Sequence, residues 1–222
     1  MGVDFNLLKA IPYFSGLKPV EVEEIKQLFF EKALRRGEMA FLEGETAEVL
    51  YFLINGAVKI FKTSAQGKEQ IIKIATPSNV LNDTSIFDGG PNSVSAQAMS
   101  PVILYGIKKD KLELLVKQYP QIAFSIIKLL SENTRQLLSL IEDLSFKHVI
   151  GRVGKILLEY SVDTDGKQRL TQQEMAAMAG TAREVVARSL KTLEDRGIVK
   201  LERHRIHITN KLALEELIME SA

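Results

Sequence analysis

The sequence predicts an α+β chain in which an antiparallel β-roll, one long helix and a winged helix-turn-helix follow in order. Three observations carry that expectation. Between Lys32 and Ile107 short apolar runs alternate with glycine breaks. From Gln121 to Phe146 apolar residues recur at coiled-coil spacing, and from Leu170 to Leu193 two capped helical stretches flank a glycine. The 222 residues suffice for one large domain or two small ones. The expected boundaries are 1–109 for the β-roll, 110–147 for a short helix plus the long one, and 148–222 for the helix-turn-helix.

Residues 1 to 34 read as short helices. Pro19 opens VEVEEIKQLFF, which sets Val22, Ile25, Leu28 and Phe29 at helical spacing. From Lys32 to Ile107 the runs MAFLE, VLYFLINGAVKIFKT, EQIIKIAT and SVSAQAMSPVILYGI are rich in β-branched and aromatic residues. Breaks fall at Arg36-Gly37, Glu43-Gly44, Asn55-Gly56, Gln66-Gly67 and Asp88-Gly89-Gly90. Asn-Gly between apolar runs is a hairpin signal, and strands at this spacing predict a small antiparallel barrel or sandwich. Such a domain is either structural or offers a barrel mouth to a small molecule.

Lys108 to Tyr119 reads as a short amphipathic helix stopped by Pro120. Gln121 to Phe146 then gives one helix of about seven turns. Ile127, Leu130, Thr134, Leu137, Ile141 and Leu144 recur at alternating spacings of three and four, the pattern of a coiled-coil seam. Leu138 and Leu140 widen that surface beyond what one short partner helix covers, so the helix is expected to pair with a second copy. A two-fold dimer would present its two reading helices about 34 Å apart. Val149 to Tyr160 reads as a helix, Asp163 to Gln168 as a polar loop, DRGIVKLERHRIHITN as a β-hairpin wing, and Leu212 to Met219 as a closing helix.

Within LTQQEMAAMAGTAREVVARSLKTL each half opens with Thr followed three residues later by Glu: Thr171 to Glu174, then Thr181 to Glu184. That is the capping-box pattern. Gly180 stands where the chain leaves the first helix and needs a left-handed residue. Ala176 and Ala179 keep the first helix thin, while Val186, Leu190 and Leu193 give the second an apolar stripe. The spacing fits a helix-turn-helix whose second helix enters a DNA major groove. Its polar face carries Arg183, Glu184 and Arg188 after Ala182 at the helix entry. Arg grips the O6/N7 edge of guanine with two hydrogen bonds, and Glu accepts from cytosine N4. The structural alternative is that Glu184 caps the helix and pairs with Arg188.

Charge supports the nucleic-acid reading locally. The chain carries 29 basic and 28 acidic residues, a formal +1. Between Arg183 and Arg205, however, seven basic residues, Lys191 and Arg203 among them, face four acidic ones, a local +3. Balance elsewhere argues against a protein that coats polyanions without selection. The absence of cysteine excludes disulfides, thiolate zinc sites and cysteine-ligated iron–sulfur clusters. With no long apolar span or leader, the expectation is a cytoplasmic protein without membrane contact. No nucleophile elbow, P-loop, zinc motif or dinucleotide fingerprint appears, so no catalytic or metal site is expected.

The order of β-roll, long helix and winged helix-turn-helix resembles the catabolite-activator/FNR family of bacterial transcription regulators over nearly the whole chain. RRGEMAFLEGETAEVLYFLINGAVKIF is similar to the family's first strands and LEDRGIVKL to its helix-to-wing segment. R-E-x-x-x-R at Arg183, Glu184 and Arg188 matches the catabolite-activator branch. The resemblance implies a homodimer on a palindrome with half-sites similar to TGTGA, an interaction with RNA polymerase, and phosphate contacts by Thr171, Gln173, His204 and Arg205.

Departures from the family pattern concern the effector. Cyclic-AMP-binding members carry Gly-Glu and then Arg-Ser in the barrel loop; in LNDTSIFDGGPNSVSA, Asn82 and Asp83 stand at the first pair and Asn92 and Ser93 at the second. The two polar residues of the long helix that meet adenine correspond to Leu137 and Leu138. No Lys or Arg lies between Lys73 and Lys108, and a buried phosphate needs cationic or convergent amide partners. Tight cyclic-nucleotide binding is therefore not expected. A pocket of Ile86, Val94, Leu137 and Leu138, with Asn82, Thr84, Ser85 and Asn92 as polar handles, suits a neutral or apolar ligand of unknown identity. Alternatives stay open: a filled pocket with no effector, in an effector-independent regulator or an architectural DNA binder, and haem, which would need Met, Tyr or Lys on its iron or a cross-domain His148, since the three histidines (148, 204 and 207) lie beyond the β-roll. His148, at the end of the long helix, is either structural or a hinge whose protonation matters.

Overall fold

The computed structural model describes residues 3–160, 170–202 and 205–221. In their described parts, Met1–Lys62 with Lys73–Arg135 form one compact unit, and Thr63–Ile72 with Gln136–Ala222 a second. The first begins with α1 (Phe5–Lys9), where the Asp4 carboxylate accepts from the Asn6 and Leu7 amides at 2.8 and 3.1 Å. A 3-10 turn (Pro12–Phe14) and α2 (Pro19–Lys26) follow. The helical spacing that reaches Phe29 in the sequence stops short in the fold: Phe29 opens β1 (Phe29–Leu34) and pairs with Ile107. A long ladder partner outweighs local periodicity there.

The strands continue as β2 (Met39–Phe41), β3 (Val49–Asn55), β4 (Val58–Thr63), β5 (Glu69–Ala75), β6 (Ser95–Ala98) and β7 (Val102–Lys108). They form a sheet of order β1-β7-β3 and a sheet of order β2-β6-β4-β5. The sequence signals a hairpin at Asn55-Gly56, but there the chain passes from the first sheet to the second. Gly56 takes φ 90°, and a Cβ there would lie 2.3 Å from the Pro101 carbonyl, so the turn is pressed against a neighbouring strand connection. Between β5 and β6 the barrel loop forms an unforeseen short helix, α3 (Asp83–Asp88). Tyr13, Phe14, Phe29 and Phe52 interlock in the core, the Tyr13–Phe52, Phe14–Phe29 and Phe14–Phe52 centroids lying 5.4 to 5.5 Å apart. Edge and tilted contacts of this kind add to burial.

After β7 come α4 (Lys109–Gln118) and the 26-residue α5 (Gln121–Phe146). The second unit is built from α6 (Val149–Tyr160), α7 (Gln172–Ala179), α8 (Arg183–Asp195), β8 (Val199–Glu202), β9 (Arg205–Ile208) and α9 (Lys211–Glu220). The polar stretch Asp163 to Gln168 lies outside the described residues. β8 and β9 pair antiparallel, Glu202 opposite Arg205, as a wing. Val153, Ala179, Val186, Leu190, Leu193 and Leu214 are fully buried at the centre. Leu190→Ala should lower the stability of this unit by about 2–5 kcal/mol, read from chemical denaturation; a loss below 1 kcal/mol would mean the stripe is not the packing element.

Candidate nucleic-acid interface

α7 starts as its sequence dictates. The Thr171 hydroxyl accepts from the Glu174 amide at 3.1 Å, and the Glu174 carboxylate accepts from the Thr171 amide at 2.6 Å. At the far end Gly180 takes the left-handed conformation, φ 65° and ψ 33°. A Cβ there would stand 2.9 Å from Leu144 Cδ2, so close packing as well as backbone geometry asks for glycine. The second expected capping box does not form. α8 begins one residue later, with Ala182 as N-cap and no side-chain cap bond. The Thr181 amide instead donates to Ala176 O at 3.0 Å, which closes the turn between the helices and draws Thr181 away from the cap.

Burial of Val186, Leu190 and Leu193 turns the opposite face of α8 outward. Ala182, Arg183, Glu184 and Arg188 are all exposed. Among the described residues Glu184 and Arg188 form no ion pair, so the pairing alternative is not realised. Lys191 is engaged differently: its Nζ reaches Glu194 at 3.0 Å and Asp195 at 3.1 Å. The hydrogen bond that Lys191 donates to Glu194 leads the rise in its pKa. Thr171, Gln173 and Arg205 are exposed near the same surface elements, at the start of α7 and the start of β9. Arg203 and His204 lie outside the described residues.

The seam positions of α5 face solvent. Ile127, Leu137 and Ile141 are 59, 46 and 60 % exposed, and Leu144, Leu130 and Thr134 are open or half-buried along the same helix. Leu138 adjoins them, and Phe124 and Phe146, which the sequence reading did not single out, extend the apolar surface at both ends.

The loop expected to hold an effector is polar and buried. Asn82, Asp83, Ser85 and Asn92 are all buried, whereas Thr84 and Ser93 are open. Asn82 Nδ2 donates to Val49 O at 2.8 Å and its Oδ1 accepts from the Tyr51 amide at 3.3 Å, tying the loop to β3. Ser85 Oγ accepts from the Ser93 amide at 3.2 Å. Ile86 joins the aromatic core while Val94 packs on the sheet cluster, so these two do not line one space. A cleft of about 440 Å³ does open between α3 and α4, lined by Ile86, Phe87, Leu112 and Val116 with Lys109 and Lys117.

Two residues missed in the sequence reach Asp83. Asn133 Nδ2 on α5 donates to Asp83 Oδ2 at 3.2 Å, and Lys73 Nζ on β5 donates to Asn133 Oδ1 at 3.2 Å. Counting cations between Lys73 and Lys108 passed over Lys73 itself, because only the fold brings β5 to α3. Burial raises the Asp83 carboxyl above its ordinary value, opposed by the Thr84 amide and the Lys73 charge. Burial lowers Lys73, opposed by Asp83. The Tyr13 hydroxyl is pushed strongly upward by burial and by the Asp83 carboxylate beside it, and Asn92 Oδ1 is buried without a hydrogen-bond partner.

Residues 31–119 match the cyclic nucleotide-binding domain and residues 151–217 the Crp-like helix-turn-helix domain. A CRP-like cAMP-activated global transcriptional regulator of Mycobacterium tuberculosis is 31 % identical over 213 residues, spanning 92 % of this chain and 95 % of that protein. A cyclic AMP receptor protein of Thermus thermophilus is 29 % identical over 211 residues, spanning 95 % and 98 %. The crystal structure of Thermus thermophilus catabolite activator protein is similar with a TM-score of 0.56 and 28 % identity, covering 95 % of this chain and all of that one.

Asp83 supplies a pH test of the buried loop. Its folded pKa is raised, so its contribution to stability is full below the ordinary 3.8 and is lost as pH rises through the folded value. Asp83→Asn should therefore make Tm fall less than in the wild type as pH rises above the ordinary 3.8. Superimposable Tm profiles would show that Asp83 is not held in that environment.

Proposed function

The chain belongs to the CRP/FNR family of DNA-binding transcription regulators, and from that premise we propose a homodimer acting on palindromic sites with half-sites similar to TGTGA, its β-roll answering a signal other than a cyclic nucleotide. The observation that carries the reading of sequence is the outward face of α8, where Arg183, Glu184 and Arg188 stand exposed above a fully buried stripe. Arg183 and Arg188 are the guanine readers and Glu184 the cytosine reader in this account. Ala182 lets the helix end approach the base edges. Thr171, Gln173, Lys191, Arg203, His204 and Arg205 hold phosphates, which position the reader without specifying sequence. Lys191 must exchange its acidic neighbours for a phosphate to do so.

The exposed apolar face of α5 supports the dimer. Ile127, Leu137, Leu138 and Ile141 on one helix form a surface that water penalises and a second copy removes. RNA polymerase is the further partner that the family resemblance implies, and the cytoplasm the compartment. Among the described residues no helix is long and apolar enough to cross a membrane.

Two observations bear on the effector. Asn92 and Ser93 carry no cationic group, and the Lys62 Nζ beside them is already held by Ser93 O at 2.9 Å and by Glu43 at 2.7 Å, which supports a neutral or apolar ligand. A second reading, an effector-independent regulator, is favoured by the internal hydrogen bonds of Asn82, Asp83 and Ser85, which leave few groups for a ligand. Haem would need Met, Tyr or Lys on its iron, or a cross-domain His148, since the three histidines come after the β-roll in the sequence.

Arg183→Ala should cost about 1–3 kcal/mol on the palindrome and relax preference at one guanine, with random duplexes scarcely affected. Equal losses on both, measured by fluorescence anisotropy at fixed salt, would remove Arg183 from base reading. Calorimetric titration with cyclic AMP and cyclic GMP should show no binding at micromolar concentration; a micromolar isotherm would refute the non-nucleotide signal.

A further inference from the structure

Asp143 is buried to 7 % on a stretch of α5 that is otherwise wet, with Ile141 and Phe146 60 and 73 % exposed. Its carboxylate joins lysines on either side of the break between α5 and α6. Lys147 Nζ donates to Oδ1 at 2.7 Å, and Lys155 Nζ, in the second turn of α6, donates to Oδ2. Lys155 also donates to Ser139 Oγ at 3.2 Å. Arg152 binds the same junction to the helix-turn-helix: its Nε donates to Ala179 O at 2.8 Å and its Nη1 to Lys147 O at 2.6 Å.

Burial would raise the Asp143 carboxyl, but the hydrogen bonds and charges of Lys147 and Lys155 outweigh it and hold it below the usual carboxylate range. Glu159, on the next turn of α6, is the other titratable group in this field; burial raises it, Lys155 and Lys147 oppose that and Asp143 adds to it. His148, the residue that the sequence placed at the hinge, is exposed, and its backbone amide donates to Ser221 O at 2.8 Å. The joint is therefore closed by the 143–155 pair and Arg152 rather than by the histidine side chain.

Buried ion pairs contribute little net stability, because desolvation offsets attraction, and their better attested effect is to fix one arrangement among several. Here the arrangement fixed is that of α6, and through α6 that of the whole α6–α9 core, against the C-terminal turns of α5. We infer that Asp143 is a positioning residue for DNA recognition: by tying Lys155 of α6 to α5 it sets the direction of α8 and hence the half-site spacing that the dimer accepts. The inference rests on the reading of the chain as a dimeric reader of palindromes.

The test measures affinity for a series of palindromes whose central spacer is shortened or lengthened by one and two base pairs, at fixed salt. The wild type should favour one spacing by about tenfold. Asp143→Asn should lose most at that spacing and least at the others, flattening the profile. Lys155→Met, which leaves Asp143 with Lys147, should flatten it too, and it keeps the test decisive if Asp143→Asn does not fold. Asp143→Glu should restore part of the preference, which a loss of general stability would not predict. A uniform loss at every spacing, with the optimum kept, overturns the positioning role alone. A wild-type protein with no optimum overturns both that role and the dimeric reading.

Discussion

Val186, Leu190 and Leu193 are withdrawn completely from water, and helical geometry then decides where Arg183, Glu184 and Arg188 point. Everything that makes the second unit a reader of DNA depends on this stripe. α6, α7 and α9 exist in the fold as its covering, with Val153, Met175, Ala176 and Leu214 closing over it. Small residues at 176 and 179 let α7 approach closely enough for the turn at Gly180 to hold α8 at a fixed angle. The reading face thus needs no interactions of its own to be presented. It is open to solvent because the opposite face is fully occupied.

The first unit follows a different logic, since polarity rather than hydrophobicity fills the loop between β5 and β6. Asn82, Asp83 and Ser85 each find protein partners, and Asn133 links the loop to the long helix. Burying an unpaired polar group costs on the order of 1–3 kcal/mol, so this loop is held shut by its own hydrogen bonds. Among the described residues of the loop, Asn92 Oδ1 is a buried group without a partner. Any group that enters the loop must replace these bonds.

Local chemistry was legible in the sequence wherever partners lie within a few residues. The Thr171–Glu174 box, the left-handed Gly180, the full span of Gln121–Phe146 and the wing were readable from spacing alone. What failed depends on distant segments. Phe29 keeps a helical spacing but answers to Ile107, and Asn55-Gly56 turns between sheets because β3 pairs with β7. Thr181 spends its amide on Ala176 O, a bond invisible to a capping rule. In the same way Lys73 and Asn133 look like ordinary surface residues until the fold sets them beside Asp83, and Asp143 until Lys155 reaches it.

The central claim is that two copies of this chain read two half-sites at once. Fluorescence anisotropy at fixed salt, on the full palindrome and on a duplex with one half-site scrambled, tests it most directly. The account predicts that scrambling one half removes most of the affinity and leaves binding near that of random DNA. Equal affinity for the two duplexes would contradict it, since a single α8 would then suffice.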